Sequence, residues 1–140
     1  MSDEKKIFIT NYLNKAVETL TDAQITLDNN RLNAAQNRIY YAIFYSVVSL
    51  GYCYGFITSK HKPLLGWFNK LFIHEKKIFD VELFKIYEKA YENRREADYE
   101  IVPPKNKIEI SESLKDAKYF IKEISNHINQ KLSQMPNTEN

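Results

Sequence analysis

This chain of 140 residues predicts an all-α fold, an antiparallel up-and-down bundle of four to five helices. Three observations carry that prediction. Apolar residues recur at spacings of three and four in five successive stretches, the period of amphipathic helices and not of strands. Only 3 Gly and 4 Pro are present, too few for the many turns of an all-β fold. One of the five stretches is apolar on nearly all sides, so it needs neighbours around it. A bundle with short links supplies them.

The first stretch runs from about Asp3 to Asn29, with Ile9, Tyr12, Leu13, Ala16, Leu20, Ala23 and Leu27 on one stripe. Asp28-Asn29-Asn30 then signals a turn. The second runs from about Arg31 to Tyr54 and is the expected central helix. From Ile39 to Ser59 it holds 21 residues without a charge, long enough to cross a bilayer. Tyr40, Tyr41, Tyr45, Tyr52 and Tyr54 are spread through that run. Tyrosine in a membrane helix gathers at the two interfaces instead, so a buried helix is expected and not a membrane span. Gly51 and Gly55 weaken its end.

Thr58-Ser59-Lys60-His61-Lys62 connects to a third helix, from about Pro63 to Glu75, where proline suits the first turn. Asp80 is a good N-cap for the fourth, in which Leu83, Tyr87, Ala90, Tyr91, Arg94 and Ala97 follow helical spacing. Pro103-Pro104 ends it. The fifth is expected to begin near Ser111 or Ser113, on a stripe of Leu114, Ala117, Ile121, Ile124, Ile128 and Leu132. Residues 135–140 form a polar tail expected to be disordered, which leaves 1–134 as a single domain.

Composition excludes several classes. A net charge of +2 is too small to argue for nucleic acid by itself. Cys53 is the only cysteine, which rules out an internal disulfide and a multi-cysteine zinc site. No histidine has a second histidine or a cysteine at metal-ligand spacing, so neither metal nor cofactor is expected. His74 and His127 read as surface residues. There is no Gly-rich phosphate loop, nucleophile elbow or zinc-binding helix motif. The polar opening Met1-Ser2-Asp3-Glu4-Lys5-Lys6 and the lone cysteine point to the reducing cytoplasm.

Two arginines stand out because each is set at the edge of apolar sequence and framed by tyrosine. Arg94 continues the inward stripe of the fourth helix, and Asp98 lies four residues on, across one turn. An internal ion pair and an anion site, with Arg94 on a phosphate and Asp98 orienting it, both satisfy that spacing. Arg95 reads as a solvated charge. Arg38, Tyr41 and Tyr45 are three and four apart and share one stripe. Arginine with aromatic faces suits a phosphate together with a stacked base, and a packed stem with a solvated head also fits. Lys60 to Lys77 carries five lysines against Glu75 alone, a weak signal for a phosphate-tracking edge.

Ala34-Ala35-Gln36-Asn37-Arg38-Ile39-Tyr40-Tyr41-Ala42-Ile43-Phe44-Tyr45, then Lys60-His61-Lys62, then Arg94-Arg95-Glu96-Ala97-Asp98-Tyr99 resemble the HEPN family, in particular its small stand-alone prokaryotic branch. Order and distances agree over roughly residues 8–132. The resemblance implies a helical bundle that commonly dimerises, and a minimal nucleotidyltransferase as partner, often as a toxin–antitoxin pair. In many such toxins an arginine and a histidine separated by four to six residues cut RNA without metal. This chain departs from that pattern. The corresponding positions after Arg94 are Tyr99, Glu100 and Ile101, and after Arg95 they are Glu100, Ile101 and Val102. An arginine site for nucleotide or RNA phosphate therefore remains, at Arg94, Arg38, Tyr41, Tyr45 and Asp98. Ribonuclease chemistry would have to use Arg94 with His61 or Asp98, and with His61 only if the fold brings its loop to Arg94. Some members carry a tyrosine just after the motif that the partner nucleotidylates, and Tyr99 holds that position.

Overall fold

The computed structural model describes residues 2–99 and 105–134. It contains five α-helices: α1 Asp3–Asp28, α2 Leu32–Tyr54, α3 His61–Phe68, α4 Val81–Tyr99 and α5 Lys107–Gln134. No strand occurs among the described residues. The expected proline stop at 103–104 and the expected disordered tail at 135–140 lie outside them.

Sequential helices run antiparallel. Phe8 stacks on Tyr52 at 5.3 Å between ring centroids while Tyr12 meets Tyr45 at 6.3 Å, so α1 and α2 pass in opposite directions. Between the same two helices the buried Ser49 hydroxyl donates to the Ile9 carbonyl at 2.8 Å, which satisfies a polar group that burial would otherwise penalise. Lys107 donates to Asn30 and Lys118 to Gln24, which sets α5 antiparallel to α1. α2 packs against α1, α3, α4 and α5, and fourteen of its side chains and backbone positions are buried. It is the centre that its uncharged sequence predicted. No helix among the described residues is long and apolar enough to cross a membrane.

The core beside α2 is aromatic. Phe68, Phe72, Tyr87 and Phe120 are fully buried, and Phe68 meets Phe120 at 5.6 Å. Burying a ring of this kind contributes roughly 1.5–3 kcal/mol.

Two boundaries differ from the sequence expectation. The third element does not stay α-helical: after Phe68, residues Asn69–Glu75 widen into π-helical turns, with the Lys76 N–H donating to the Leu71 carbonyl at 2.8 Å. α5 begins at Lys107 instead of Ser111, because the Asn106 side chain accepts from the Glu109 N–H at 2.8 Å. Asn106 followed three residues on by Glu109 is the spacing of a capping box, and the serines further on are poorer competitors.

α2 stops at Gly55, whose φ of 78° is left-handed. The N–H groups of Gly55 and Phe56 both reach back to the Gly51 carbonyl. This return presses the Phe56 carbonyl onto the Cα of Gly51, and a Cβ there would collide with that backbone oxygen. The turn that launches the chain toward His61 therefore needs glycine at two positions. Gly51→Ala is expected to destabilise the fold by about 1–3 kcal/mol through overpacking, read as a lower urea midpoint at unchanged slope.

Candidate functional site

Arg94 lies seven residues beyond Tyr87 on α4, two turns along the same inward stripe, and so it reaches the bundle where the core ends. Its guanidinium lies over the rings of Tyr40, at 4.9 Å from the centroid, and Tyr41, at 5.7 Å. Nη1 donates to Asp98 at 3.0 Å. Among the described residues Nε is buried without a hydrogen-bond partner. The Arg94 side chain is 18% exposed but that of Asp98 is 42% exposed. The pair is thus a rim contact worth about 0–1 kcal/mol, and not an internal ion pair. The tyrosine faces hold the arginine instead, since cation–π contact on a partly desolvated ring is worth roughly 1–2 kcal/mol.

His61 is the first residue of α3 and is brought to the same rings. It stacks on Phe44 at 4.3 Å between centroids and meets Tyr40 and Tyr41 at 5.5 and 5.6 Å. Its Nδ1 is 2.6 Å from the Tyr40 hydroxyl. The fold therefore does bring this loop to Arg94, across two shared tyrosines.

The protonation states follow from the surroundings. Burial pushes the Tyr40 phenol well above its ordinary range, against the smaller lowering effect of Arg94, so it stays a donor. Burial lowers the His61 imidazole, and the Arg94 charge lowers it further. In the tautomer where Tyr40 donates to Nδ1, the neutral ring carries its hydrogen on Nε2 and offers a donor.

The remaining predicted residues are placed as follows. Arg38 lies over the Tyr41 ring at 5.4 Å, with Nε and Nη2 both on the Asn37 side-chain oxygen at 3.1 and 2.7 Å. Arg38 and Arg94 thus share Tyr41. Tyr45 adjoins Tyr41 at 5.8 Å but is covered by Lys15, at 4.5 Å, and not by an arginine. Tyr99 ends α4 and is 72% exposed. Arg95 is a surface charge near Glu92, at 3.8 Å, as its position suggested. No group of three His, Cys, Asp or Glu gathers among the described residues.

Two residues escaped sequence reasoning. Tyr40, the ring that holds both Arg94 and His61, is one of them, since the spacing from Arg38 points to Tyr41. The signal for it was its uncharged neighbourhood, which marks an inward position. His127, expected on the surface, is half-buried with Nε2 at 2.7 Å from the Tyr54 hydroxyl. Its place between Ile124 and Ile128 sets it beside the buried stripe of α5.

A family model described as HEPN domain matches residues 9–128. The UPF0332 protein of Thermotoga maritima is 41% identical over 97 residues, covering 69% of this chain and 73% of that one. A protein of Methanocaldococcus jannaschii described as a candidate toxin is 34% identical over 88 residues, covering 63% of this chain and 59% of its own length.

The shared rings generate a test of proximity. In a nuclear magnetic resonance titration His61 is expected to have its midpoint below the ordinary value of about 6.5, and Arg94→Gln to move that midpoint upward. The stability linked to His61 is complete above the ordinary value and is lost as pH falls from there to the folded midpoint, because in that window only the unfolded ring takes up a proton. A midpoint that ignores Arg94→Gln would separate the two side chains.

Proposed function

The chain belongs to the HEPN family, and on that premise we propose that it binds the phosphate of a nucleotide or of RNA at Arg94. One observation carries this reading. Arg94 is anchored by two tyrosine faces and not by a buried carboxylate, and its side chain reaches the surface at the rim of the bundle. A guanidinium held this way keeps its charge available to an anion. His61 adds a neutral donor on the same rings, and Arg38 adds a second cation across Tyr41.

Family membership extends the reading. The chain acts as a homodimer and as one half of a toxin–antitoxin-type pair with a minimal nucleotidyltransferase. The candidate-toxin relative supports that role. Tyr99, with an exposed phenol one residue from Asp98, is the acceptor such a partner would modify.

A second reading, a metal-independent ribonuclease, is favoured by the convergence of His61 with Arg94. In it Arg94 steadies the phosphate charge and His61 moves the proton. It is the weaker of the two, because Nδ1 is occupied by the Tyr40 hydroxyl and Nε2 is a donor. The ring can accept a proton only after Tyr40 gives way. RNA cleavage that is abolished in His61→Ala would replace the binding reading with this one.

Arg94→Ala is expected to weaken nucleotide or RNA binding by roughly ten- to a hundredfold, the value of a charge-assisted phosphate contact of about 1.5–3 kcal/mol. Its stability should fall by only about 1–2 kcal/mol, since Asp98 is left at the surface. Arg94→Lys should recover part of the affinity, because lysine keeps the charge and loses the two-pronged donor. Unchanged affinity with a collapsed melting temperature would make Arg94 structural. Fluorescence anisotropy and thermal unfolding on the same samples read both quantities.

A further inference from the structure

Residues 56–60, between α2 and α3, belong to no helix. Residues 57–60 form one wall of a groove of about 570 Å³, and α1 and α2 form the other. Lys60 is extended, with φ −86° and ψ 128°. The Phe56 N–H turns back to the Gly51 carbonyl, and the Lys60 N–H donates to the Thr58 hydroxyl at 3.1 Å. Between them the main-chain groups of Ile57, Thr58 and Ser59 pair with no other main chain among the described residues. The facing wall carries Tyr12, Lys15, Tyr41, Tyr45 and Tyr52. Its ring faces are already in use: Tyr12 lies against Tyr52 at 5.7 Å and Tyr45 at 6.3 Å, and Lys15 covers Tyr45 at 4.5 Å. What the groove presents is ring edges, hydroxyl groups and two lysines, with no carboxylate among the described lining residues.

We infer that this groove binds an extended, acidic segment of a partner protein. The segment pairs main chain to main chain with residues 57–59 and sets carboxylates against Lys15 and Lys60. An exposed extended stretch with unpaired N–H and C=O groups is a template for strand addition, in which main-chain bonds supply affinity and side chains supply selection. Alternate side chains of an added strand point the same way, so acids at every second position suffice. Tyrosine with serine and threonine is also the composition of protein-recognition surfaces, where phenols give rigid contact area and small hydroxyls adapt. A nucleic acid would need open ring faces for its bases, and stacking and Lys15 have taken those. A second copy of this chain that paired through the same stretch would set Lys60 against Lys60, which like charge opposes. The inference stands apart from the Arg94 reading, although the groove ends at Tyr41 beside that site.

The test uses the whole protein and a capped hexapeptide in which acidic residues alternate with valine. Two relatives serve as controls: an amide form with asparagine and glutamine in place of the acids, and a form N-methylated so that its main chain cannot donate. Nuclear magnetic resonance at millimolar peptide reads binding at the protein amides themselves. The acidic peptide is expected to shift the amide signals of Ile57, Thr58 and Ser59 and to slow their exchange with solvent. Lys15→Gln with Lys60→Gln, two exposed changes that spare the fold, should weaken it by roughly 2- to 30-fold, the value of two surface charge pairs. The amide form should bind wild-type protein more weakly by a similar factor. N-methylation should weaken binding by roughly 5- to 150-fold, the value of two main-chain hydrogen bonds. If the acidic peptide leaves the three amides unmoved, the inference is overturned. It is overturned equally if the amide form or the N-methylated form binds as well as the acidic one. If single-stranded oligouridylate shifts the same amides and displaces the peptide, the groove serves nucleic acid instead. If the free protein is a dimer that already protects those amides from exchange, the groove belongs to a second copy and the inference falls.

Discussion

Tyr40 is the side chain on which the rest of the site depends. It is fully buried on the central helix, yet side chains of two other helices meet it. Arg94 of α4 lies on its face, His61 of α3 takes its hydroxyl, and Tyr91 of α4 packs against it at 5.9 Å. A phenol is suited to this because it is apolar along its body and polar at its tip. The ring completes the core, the π-face holds a cation at the rim, and the hydroxyl fixes the rotation of an imidazole. Aliphatic side chains can do the first of these only. The bundle and the site are therefore not separable layers: the packing that stabilises α2 also sets the positions of Arg94 and His61.

The manner in which Arg94 is held decides what it is able to do. A buried carboxylate would have neutralised it, and the pair would have spent its charge on stability. Here the acid partner is partly exposed, and water screens it. The tyrosine rings attract the cation through their quadrupoles without cancelling its charge. Burial meanwhile keeps His61 neutral, so the site carries a net positive field with an uncharged donor beside it. That arrangement suits an anion, and it makes the local field positive in a chain whose net charge is only +2.

Much of the fold was legible because the helix period is written into each stripe. Ile9, Ala16, Ala23 and Leu27 are buried in α1 where the spacing put them, and the uncharged run became the central helix. The π-helical turns at Asn69–Glu75 were not legible, since a one-residue widening leaves apolar spacing nearly unchanged. Within the site, Arg94, Asp98, Arg38 and Tyr41 were readable from intervals along single helices. The meeting of His61 with Arg94 was not. It depends on the Gly51–Gly55 return, which turns a link between helices into a long-range contact, and no local interval encodes that. Tyr40 was hidden for a related reason: on a helix buried all round, period does not say which buried ring faces a functional neighbour.

The bundle contains its own comparison for the tyrosine–histidine pair at the candidate site. α2 forms such a pair twice, Tyr40 with His61 and, nearly four turns further on, Tyr54 with His127 at 2.7 Å. In both, burial is the first cause that raises the phenol and lowers the imidazole. Each has a cation over the tyrosine ring, Arg94 at 4.9 Å and Lys131 at 4.2 Å. The pairs differ in what surrounds them. Tyr54 is walled by Trp67 and Phe72, and its cation is a single ammonium without a planar fork. Tyr40 adjoins Tyr41, a second arginine and the open groove toward Tyr12 and Lys15. The hydrogen-bonded pair is thus a structural device that the fold uses at both ends of one helix. Only at the Tyr40 end do two guanidinium groups gather, Arg94 over Tyr40 and Arg38 over the adjoining Tyr41.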